Sequence, residues 1–346
     1  MSTIRHQPLR GLVAGLGVMG SNHLRVLSSL DSVEVIAVVD PDAERRAAAQ
    51  RAYRHVEGYA SVADAFAAHE LDFVCVAVPV SSLVPTARAA LEAGLHVLVE
   101  KPTAPTEGDA ETLIADAARH GLVLAVGHVE RFNPAVVALK DKLAEGAIGT
   151  VHQMHARRLS PFPNRDSMLG VSLDLATHDI DVMRYISGSE VARVFAETSQ
   201  HYHEAAEDLL CATLRFDDGA TGLLEVNWIT PTKVRELTVT GERGMLRVDY
   251  LTQDLYLFEH PSQSTEWDAL AGMRGGGEGN MTRFALERRE PLRVEWEAFV
   301  DAVHAGTPAA VTGHDGLAAL STAIAIQQAG TTHEIVVPSY RAAARR

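Results

Sequence analysis

The sequence predicts a two-domain α/β protein, and three observations carry that prediction. Short apolar runs alternate with helical patterns over residues 1–126, which favours a parallel sheet with helical crossovers. A glycine-rich turn follows the first apolar run. From residue 127 to residue 346 the pattern changes to strands joined by short turns, which predicts an α+β domain with a large, mostly antiparallel open sheet. A chain of 346 residues also exceeds one hydrophobic core of ordinary size.

The glycine-rich turn is the first element with a chemical meaning. An apolar run over residues 11–14 leads into Gly15-Leu16-Gly17-Val18-Met19-Gly20, and a helical pattern follows. Glycines at this spacing allow a tight turn, backbone access to a pyrophosphate and close packing of helix on strand, with the phosphates at the helix N-terminus. The segment therefore predicts a Rossmann dinucleotide-binding domain, with residues 15–20 in contact with the cofactor.

An acidic residue predicts which dinucleotide binds. The second apolar run, Val33–Val39, ends in Asp40, twenty positions after Gly20. A carboxylate at this place accepts the ribose hydroxyls of the adenosine and repels the 2′-phosphate of NADP. We therefore expect NAD as cofactor and a weaker affinity for NADP. Arg45 and Arg46 in the next helix leave some NADP binding open.

Two strand ends in this half carry further candidates. The apolar strand from Phe73 ends at Val78 and Pro79, which we expect beside the cofactor. The strand over residues 97–99 delivers Glu100-Lys101-Pro102, and a side chain at the carboxyl end of such a strand lies in the crevice where open α/β sheets bind ligands. Glu100 and Lys101 are therefore predicted cofactor contacts, and Lys101 is also a candidate for the chemistry.

The second half reads as a succession of strands. Predicted strands cover residues 151–158, 193–198, 211–216, 221–228, 235–240, 245–250 and 254–258, and two helices, 293–305 and 315–329, close the domain. The turn Asp217-Asp218-Gly219 predicts a hairpin. The segment from Gly272 to Gly279 is a candidate mobile loop, either a plain surface loop or a substrate lid, and residues 341–346 are expected to be solvated.

A second chemical constellation lies on a predicted helix. Helical spacing places Asp174, His178 and Asp181 on one stripe. Two carboxylates beside an imidazole fix its tautomer and raise its basicity, which suits a general base near neutral pH. A metal site is the alternative, since His201 and His203 share a predicted strand face. The sequence has no His-Glu-x-x-His pattern and no paired cysteines, so we expect no metal.

Composition bounds the partners and the compartment. The chain has 31 basic and 45 acidic residues, a net charge of −14, which argues against nucleic acid or an anionic membrane as partner. Cys75 and Cys211 both stand in apolar strand-like runs, which is typical of a reduced cytoplasmic protein with buried thiols. No signal peptide or membrane-spanning run is visible, which also favours the cytoplasm.

One predicted strand bears on assembly. The segment with Leu223, Leu224, Val226 and Trp228 reads as apolar on both faces. A bare antiparallel face is tolerated in water when it is polar, so an apolar one needs a cover. We therefore expect a homodimer or homotetramer, joined face to face through these sheets.

Three motifs together resemble one protein family over nearly the whole chain. The turn Gly15–Gly20, the run Ala93–Pro102 and Asp174 with His178 resemble the glucose-fructose oxidoreductase, inositol dehydrogenase and MocA (Gfo/Idh/MocA) family. Within it, residues 127–134, 174–181 and 290–296 are similar to the UDP-N-acetylglucosamine 3-dehydrogenase branch. One departure is the helix after Pro79, where many relatives have a histidine and this chain has Leu83 and then Pro85.

The resemblance implies NAD-dependent oxidation of a secondary hydroxyl on a sugar ring to a ketone, with a nucleotide sugar such as UDP-N-acetylglucosamine, oxidised at C3, as the substrate. His178 then takes the hydroxyl proton while Asp174 orients it or the substrate. Lys101 either stabilises the developing oxyanion or is itself the base, and the residues leave both roles open.

A nucleotide sugar needs donors for its diphosphate, and bidentate arginines suit phosphate. The candidates are Arg131 with Asn133, and Arg157, Arg158 or Arg165. Two alternatives remain. One is a dehydrogenase of a free polyol or sugar such as myo-inositol. The other is a non-catalytic dinucleotide-binding sensor, against which the presence of both Lys101 and His178 counts.

Overall fold

The computed structural model describes residues 7–163, 169–260 and 279–340. Contacts divide the chain into two compact units, Met1–Val129 with Glu290–Leu320, and Glu130–Arg289 with Ser321–Arg346. The first break lies three residues beyond the predicted boundary at 126/127. The predicted tail at 341–346, the predicted loop from 272 as far as 278, and Arg165 lie outside the described residues.

A six-stranded parallel sheet forms the centre of the first unit; the parallel sheet was predicted, whereas its short strand Glu57–Tyr59 was not. Its strands are β1 (Leu9–Ala14), β2 (Val33–Val39), β3 (Glu57–Tyr59), β4 (Phe73–Val76), β5 (His96–Val99) and β6 (Leu124–Val126). Their order is β3-β2-β1-β4-β5-β6, so the order reverses between β1 and β4. In open α/β sheets ligands bind outside the carboxyl ends of the strands at such a reversal. β1, β2, β4 and β5 end there, which is where the predicted candidates lie.

Five helices connect these strands. They are α1 (Val18–Leu27), α2 (Ala43–Ala52), α3 (Val62–Ala68), α4 (Val80–Glu92) and α5 (Glu107–His120). Local signals fix several of their ends. The Ser61 hydroxyl accepts the Asp64 N–H at the start of α3, and Gly121 closes α5 with a φ of 66° that favours glycine. These two helix ends therefore follow from residue types that are visible in the sequence.

The second unit is built on an eight-stranded sheet. Its strands are β7 (Val151–Leu159), β8 (Val191–Ser199), β9 (Leu209–Phe216), β10 (Thr221–Asn227), β11 (Val234–Gly241), β12 (Gly244–Asp249), β13 (Asp254–Glu259) and β14 (Met281–Arg283). Their order is β14-β13-β12-β11-β7-β10-β9-β8, and every pair is antiparallel except β7 with β10. The mostly antiparallel sheet and the hairpin at Asp217–Gly219 are confirmed, whereas β14 was not predicted.

Helices cover one face of this sheet. A short 3-10 turn, Val129–Phe132, leads into α6 (Pro134–Ala144), and a π turn, Ser172–Ala176, leads into α7 (Thr177–Ser187). α6 packs on β12 and β13, and α7 packs on β7. Neither α6 nor the π turn was predicted. Pro134 hides the start of α6 in the sequence, although proline is well placed in a first helical turn.

The other face of the sheet is mixed rather than apolar. Leu224 and Val226 are buried on the covered face, but Leu223 shares the open face with Glu225, which pairs with Arg157 at 2.9 Å. The prediction that this segment is apolar on both faces is therefore wrong. Cys211 stands opposite Glu225 and is exposed, so the prediction of two buried thiols fails for it.

The chain returns to the first unit near its end. Helix α8 (Pro291–Ala305) and the first part of α9 (Gly313–Thr332) belong to that unit. The predicted domain boundary had instead placed residues 290–320 in the second domain. The reason for the difference is apolar packing. Trp296 is fully buried, with its ring centroid 5.4 Å from that of Phe73 in β4 and 5.3 Å from that of Phe299. No helix among the described residues is long and apolar enough to cross a membrane.

Candidate active site

The turn between β1 and α1 has the backbone that a pyrophosphate requires. Gly15 has a φ of +90°, and a Cβ there would lie 2.3 Å from the carbonyl oxygen of Ala77. A Cβ at Gly20 would lie 1.7 Å from the carbonyl oxygen of Gly15, so only glycine lets the helix sit this close to the turn. At Gly17, by contrast, nothing lies within 4 Å of the Cβ position. The backbone of the turn is therefore closely packed at Gly15 and Gly20 and open at Gly17.

The start of α1 is equally open. Gly17 caps the helix without a side-chain hydrogen bond, and Val18 and Met19 are 79% and 37% exposed. The first N–H groups of a helix have no partner within the helix, and they carry partial positive charge. Such an end fits the diphosphate of a dinucleotide. Gly17, Val18 and Met19 are the accessible residues of this turn, whereas Gly15, Leu16 and Gly20 are buried, so contact of residues 15–20 with the cofactor stays a prediction.

Asp40 is bound directly to this turn. It lies at the carboxyl end of β2, where Oδ2 accepts the N–H of Leu16 at 2.7 Å and Oδ1 accepts the N–H of Asp42 at 2.9 Å. Arg46 donates to the carbonyl oxygen of Asp40 at 2.6 Å, and Arg45 lies 3.7 Å from Asp40 Oδ2. Both arginines that left NADP binding open are therefore engaged by acceptors of the same unit.

The carboxyl end of β4 lies beside the same turn. The N–H of Ala77 donates to the carbonyl oxygen of Ala14 at 2.8 Å, which continues the pairing of β1 with β4 past its last residues. Val78 is half-buried and Pro79 is exposed at the start of α4, so both follow the strand where the prediction placed them. Leu83, where many relatives have a histidine, is buried in the core.

Glu100 and Lys101 follow the next strand, β5. Glu100 is 7% exposed, and its Oε1 lies 2.9 Å from His23 Nε2 while its Oε2 accepts the N–H of Lys101 at 3.2 Å. A Cβ at Gly127 would lie 3.0 Å from Glu100 Oε1, so glycine makes room for this carboxylate. Lys101 is half-buried at the ligand-binding edge of the sheet, as predicted.

The predicted stripe of the second unit is interrupted by the π turn. Asp174 is buried within that turn, and His178 is half-buried in the first turn of α7. Single π turns inserted in helices are frequent at functional sites. Asp181 does not flank the imidazole as predicted, because both of its oxygens accept hydrogen bonds from Arg131 at 2.6 Å. Of the predicted stripe, Asp174 and His178 therefore remain as candidates.

A neighbouring loop holds the start of the π turn. The carbonyl oxygen of Glu207 accepts the N–H of Val171 at 3.0 Å, and its Oε1 accepts the N–H of Ser172 at 3.1 Å. His201 and His203 lie in the same loop, beyond the end of β8, and not on a strand face as predicted. Across the ranges that the structure describes, no three His, Cys, Asp or Glu side chains are grouped to hold a metal ion.

Two of the arginines proposed for a diphosphate, Arg131 and Arg158, are engaged in buried ion pairs, whereas the pair of Arg157 with Glu225 is partly exposed. Arg131 binds Asp181 through two nitrogens, and Arg158 binds Asp179 at 2.6 and 3.0 Å and Glu130 at 3.1 Å. Asn133 caps α6 and donates to the carbonyl oxygen of Tyr250 at 3.1 Å. Breaking a buried pair leaves an uncompensated charge, which costs about 3–5 kcal/mol. These contacts favour a structural role for Arg131, Arg158 and Asn133. That the three residues bind substrate stays a prediction, and the contacts do not support it.

The sequence reasoning missed Arg235. It faces Arg158 across the β11–β7 pairing and is partly buried, and burial together with Arg158 lowers its pKa to about 10 while Asp179, Glu130 and Asp174 oppose that shift. Only Nη1 donates within the described part of the chain, to the carbonyl oxygens of Leu159 and Val234. A signal was present: strand alternation puts Arg235 on the apolar face with Leu237 and Val239.

Comparisons with known proteins agree with both units. Residues 9–128 match the model of the "Oxidoreductase family, NAD-binding Rossmann fold", and residues 136–247 match that of the "GFO/IDH/MocA C-terminal domain". UDP-N-acetylglucosamine 3-dehydrogenase of Acidithiobacillus ferrooxidans is 28% identical over 93% of this chain and 97% of its own. Inositol 2-dehydrogenase 1 of Saccharopolyspora erythraea is 31% identical over 93% of this chain and 95% of its own.

A solved structure gives the same result. UDP-N-acetylglucosamine 3-dehydrogenase GnnA of Acidithiobacillus ferrooxidans superposes with a TM-score of 0.83 at 26% identity, covering 94% of this chain and 98% of that one. These relatives are dehydrogenases, which favours an enzyme over a non-catalytic sensor. With the open glycine turn and the family match to its first domain, the cofactor is NAD. The chain belongs to the GFO/IDH/MocA oxidoreductase family and carries its NAD-binding Rossmann domain and its C-terminal domain.

Proposed function

We propose that this oxidoreductase oxidises a ring hydroxyl of a nucleotide sugar to a ketone, with UDP-N-acetylglucosamine, oxidised at C3, as the leading substrate. The observation that carries the chemistry is Lys101, placed by β5 at the ligand-binding edge of the NAD-binding unit and anchored through Glu100. The likeness to UDP-N-acetylglucosamine 3-dehydrogenase over 93% of this chain supports the substrate.

The proposed mechanism divides one oxidation between two side chains. NAD, when bound, accepts the hydride that leaves the carbinol carbon. His178 takes the hydroxyl proton, so that the carbon and the oxygen lose two electrons and two hydrogens and a C=O bond forms. Asp174 orients the imidazole or the substrate. The Lys101 ammonium donates to the same oxygen and stabilises its developing negative charge, a type of interaction that often contributes most to catalysis.

Arg235 supports a substrate that carries an anionic group. Its guanidinium belongs to the same unit as Asp174 and His178, and its Nε and Nη2 have no acceptor in the described ranges. Burial and the neighbouring Arg158 lower the pKa of this guanidinium, and an anion bound beside it would stabilise its charged form. We propose Arg235, in place of Arg131 and Arg158, as the residue that binds the diphosphate.

A free polyol is the second candidate substrate. The observation that favours it is the 31% identity to inositol 2-dehydrogenase 1, which exceeds the 28% identity to the nucleotide-sugar enzyme. A polyol needs Lys101 and His178 but has no use for a cation at Arg235. Replacing Arg235 should therefore impair the oxidation of a nucleotide sugar but not that of a free polyol.

The choice of cofactor depends on Asp40. NAD should bind more tightly than NADP because the carboxylate repels a 2′-phosphate, and Asp40→Ser should narrow the gap. Titration of each cofactor by protein fluorescence measures both affinities. Asp42→Ser is the control, since it removes the same charge two residues away and serine still caps α2. Equal or tighter NADP binding by the unchanged protein would contradict the assignment.

The choice of substrate is tested with UDP-N-acetylglucosamine, N-acetylglucosamine and myo-inositol, each assayed for NAD reduction. We expect the UDP-sugar to be preferred, and Arg235→Met to raise its KM about tenfold or more, the weight of a charge-assisted hydrogen bond. Arg193→Met, which changes an exposed arginine of strand β8 in the same sheet, should leave that KM unchanged. Faster oxidation of myo-inositol, with no effect of Arg235→Met, would establish the polyol alternative.

The roles of Lys101 and His178 are tested by removing each. His178→Ala and Lys101→Ala should each lower kcat by roughly two orders of magnitude or more, and the double variant should be little worse, because groups that act as a unit are not additive. NAD affinity should change little in His178→Ala. His152→Ala, an exposed histidine of β7, is the control.

Lys101→Arg separates the two roles of the lysine. Arginine keeps the charge but does not give up a proton in proteins, so it should retain part of the activity if Lys101 acts as a cation. Activity as low as that of Lys101→Ala would make Lys101 the base. Turnover near the original in His178→Ala, with the fold intact by circular dichroism, would remove the histidine from the mechanism.

We also propose a homo-oligomer, a dimer or tetramer, in which the open sheet faces meet. Phe195 and Cys211 are exposed on that face, whereas Cys75 is buried, and the chain has two cysteines in all. Light scattering at micromolar concentration should show the oligomer. Cys211 should react with a thiol reagent far more slowly in the native protein than after Phe195→Lys. A monomer with a rapidly reacting thiol would contradict the proposal.

A further inference from the structure

Three directed hydrogen bonds connect distant parts of the first unit. The indole Nε1–H of Trp296 donates to His23 Nδ1 at 2.9 Å, and His23 Nε2 lies 2.9 Å from Glu100 Oε1. Glu100 Oε2 then accepts the backbone N–H of Lys101 at 3.2 Å. His23 and Trp296 are fully buried, and Glu100 is nearly so. A buried polar group is costly unless it is hydrogen-bonded, so these residues depend on each other.

The donors at the two ends fix the direction of every bond. An indole N–H can only donate, so His23 Nδ1 must accept with its lone pair. The imidazole is then neutral, with its proton on Nε2, and that proton is donated to Glu100. The N–H of Lys101 can also only donate. Glu100 therefore faces a donor at each oxygen, and the carboxylate form supplies both acceptors.

The space around Glu100 leaves little freedom for another arrangement. A Cβ at Gly127 would lie 3.0 and 3.3 Å from the two carboxylate oxygens, so the neighbouring backbone closes one side of the group. His23 is buried in α1 together with Leu24 and Leu27. His23 of helix α1 thus links Trp296 of helix α8 to the carboxylate that follows strand β5.

We propose that His23 and Trp296 are positioning residues for Lys101. Trp296 locks the tautomer of His23, His23 holds Glu100 as a carboxylate, and Glu100 fixes the backbone from which the Lys101 side chain extends. Neither His23 nor Trp296 touches the substrate in this account. The inference rests on the proposed function, since it assumes that Lys101 acts on the sugar.

The decisive variant is Glu100→Gln, tested in two backgrounds. An amide has one acceptor and one donor group, so in the original background it must point its NH₂ at a donor, either His23 Nε2–H or the N–H of Lys101. We expect kcat to fall about tenfold or more, the effect of leaving a buried donor without its acceptor. In the Trp296→Phe background His23 can carry its proton on Nδ1 and accept from the new amide. There the same change should cost clearly less.

A second pair of variants covers a failure of Trp296→Phe to fold. Glutamine at position 23 can accept from Trp296 and donate to Glu100, whereas leucine of similar volume can do neither. His23→Gln should therefore retain most of the kcat that His23→Leu loses. Phe299→Leu is the packing control: it loosens the aromatic contact with Trp296 but leaves the hydrogen bonds, so it should lower stability and spare the kcat.

The tautomer itself is read without substrate or cofactor. Nitrogen-15 NMR of the histidine side chains should show His23 protonated at Nε2 in the original protein, and at Nδ1 in the Trp296→Phe, Glu100→Gln double variant. A proton on Nδ1 in the original protein would overturn the proposal. So would an equal cost of Glu100→Gln in both backgrounds. The predicted tautomer in a protein that oxidises none of the sugars would instead refute the proposed function, and with it the positioning role.

Discussion

The close approach of helix α1 to the end of strand β1 determines the geometry of the surface that the first unit presents to a dinucleotide. That approach is possible only because Gly20 has no Cβ, which would otherwise lie 1.7 Å from the carbonyl oxygen of Gly15. With the helix seated, the N–H of Leu16 reaches Asp40, and His23, one turn further on, reaches Glu100. Asp40, which we propose as the ribose ligand, and Glu100, which precedes Lys101, are therefore both held by groups of this turn and of helix α1.

In the second unit, buried ion pairs fix the position of the helix that carries His178. Arg131 holds Asp181 and Arg158 holds Asp179, and all four groups are buried. These pairs tie the turn after Val129 and the end of β7 to helix α7, so the helix that carries His178 has a fixed position within its unit. The same ion pairs also determine which charged side chains of this unit remain available to a ligand. Asp179 and Asp181 are each paired with an arginine, whereas Arg235, which we propose to bind the diphosphate, lies near enough to Asp174 for the two charges to interact.

The parts of this account that the sequence predicts have local causes. The glycine turn, the carboxylate after β2, the lysine after β5 and the cap of α3 each follow from a few adjacent residues. The failures depend on partners far away in the chain. Helical spacing cannot show that Asp181 faces Arg131, fifty positions earlier, or that a π turn breaks the stripe.

Strand register is the other limit. Cys211 is exposed, and Leu223 lies on the same face of the sheet as Glu225. The pairing of the strands decides which face each side chain takes, and a run of apolar residues in the sequence does not show it. Likewise Trp296 draws residues 290–320 to the first unit through β4, a contact between distant segments. Arg235 could have been found, since a charged residue among alternating apolar ones is a visible exception.

The central claim is that a sugar carbon gives its hydride to NAD. The most direct measurement supplies UDP-N-acetylglucosamine deuterated at C3 and follows the reduced cofactor by proton NMR. The account predicts NADH with one deuterium at C4 of the nicotinamide, formed together with a 3-keto sugar nucleotide. NADH without deuterium, or deuterium retained in the recovered sugar while NAD is reduced, would contradict it.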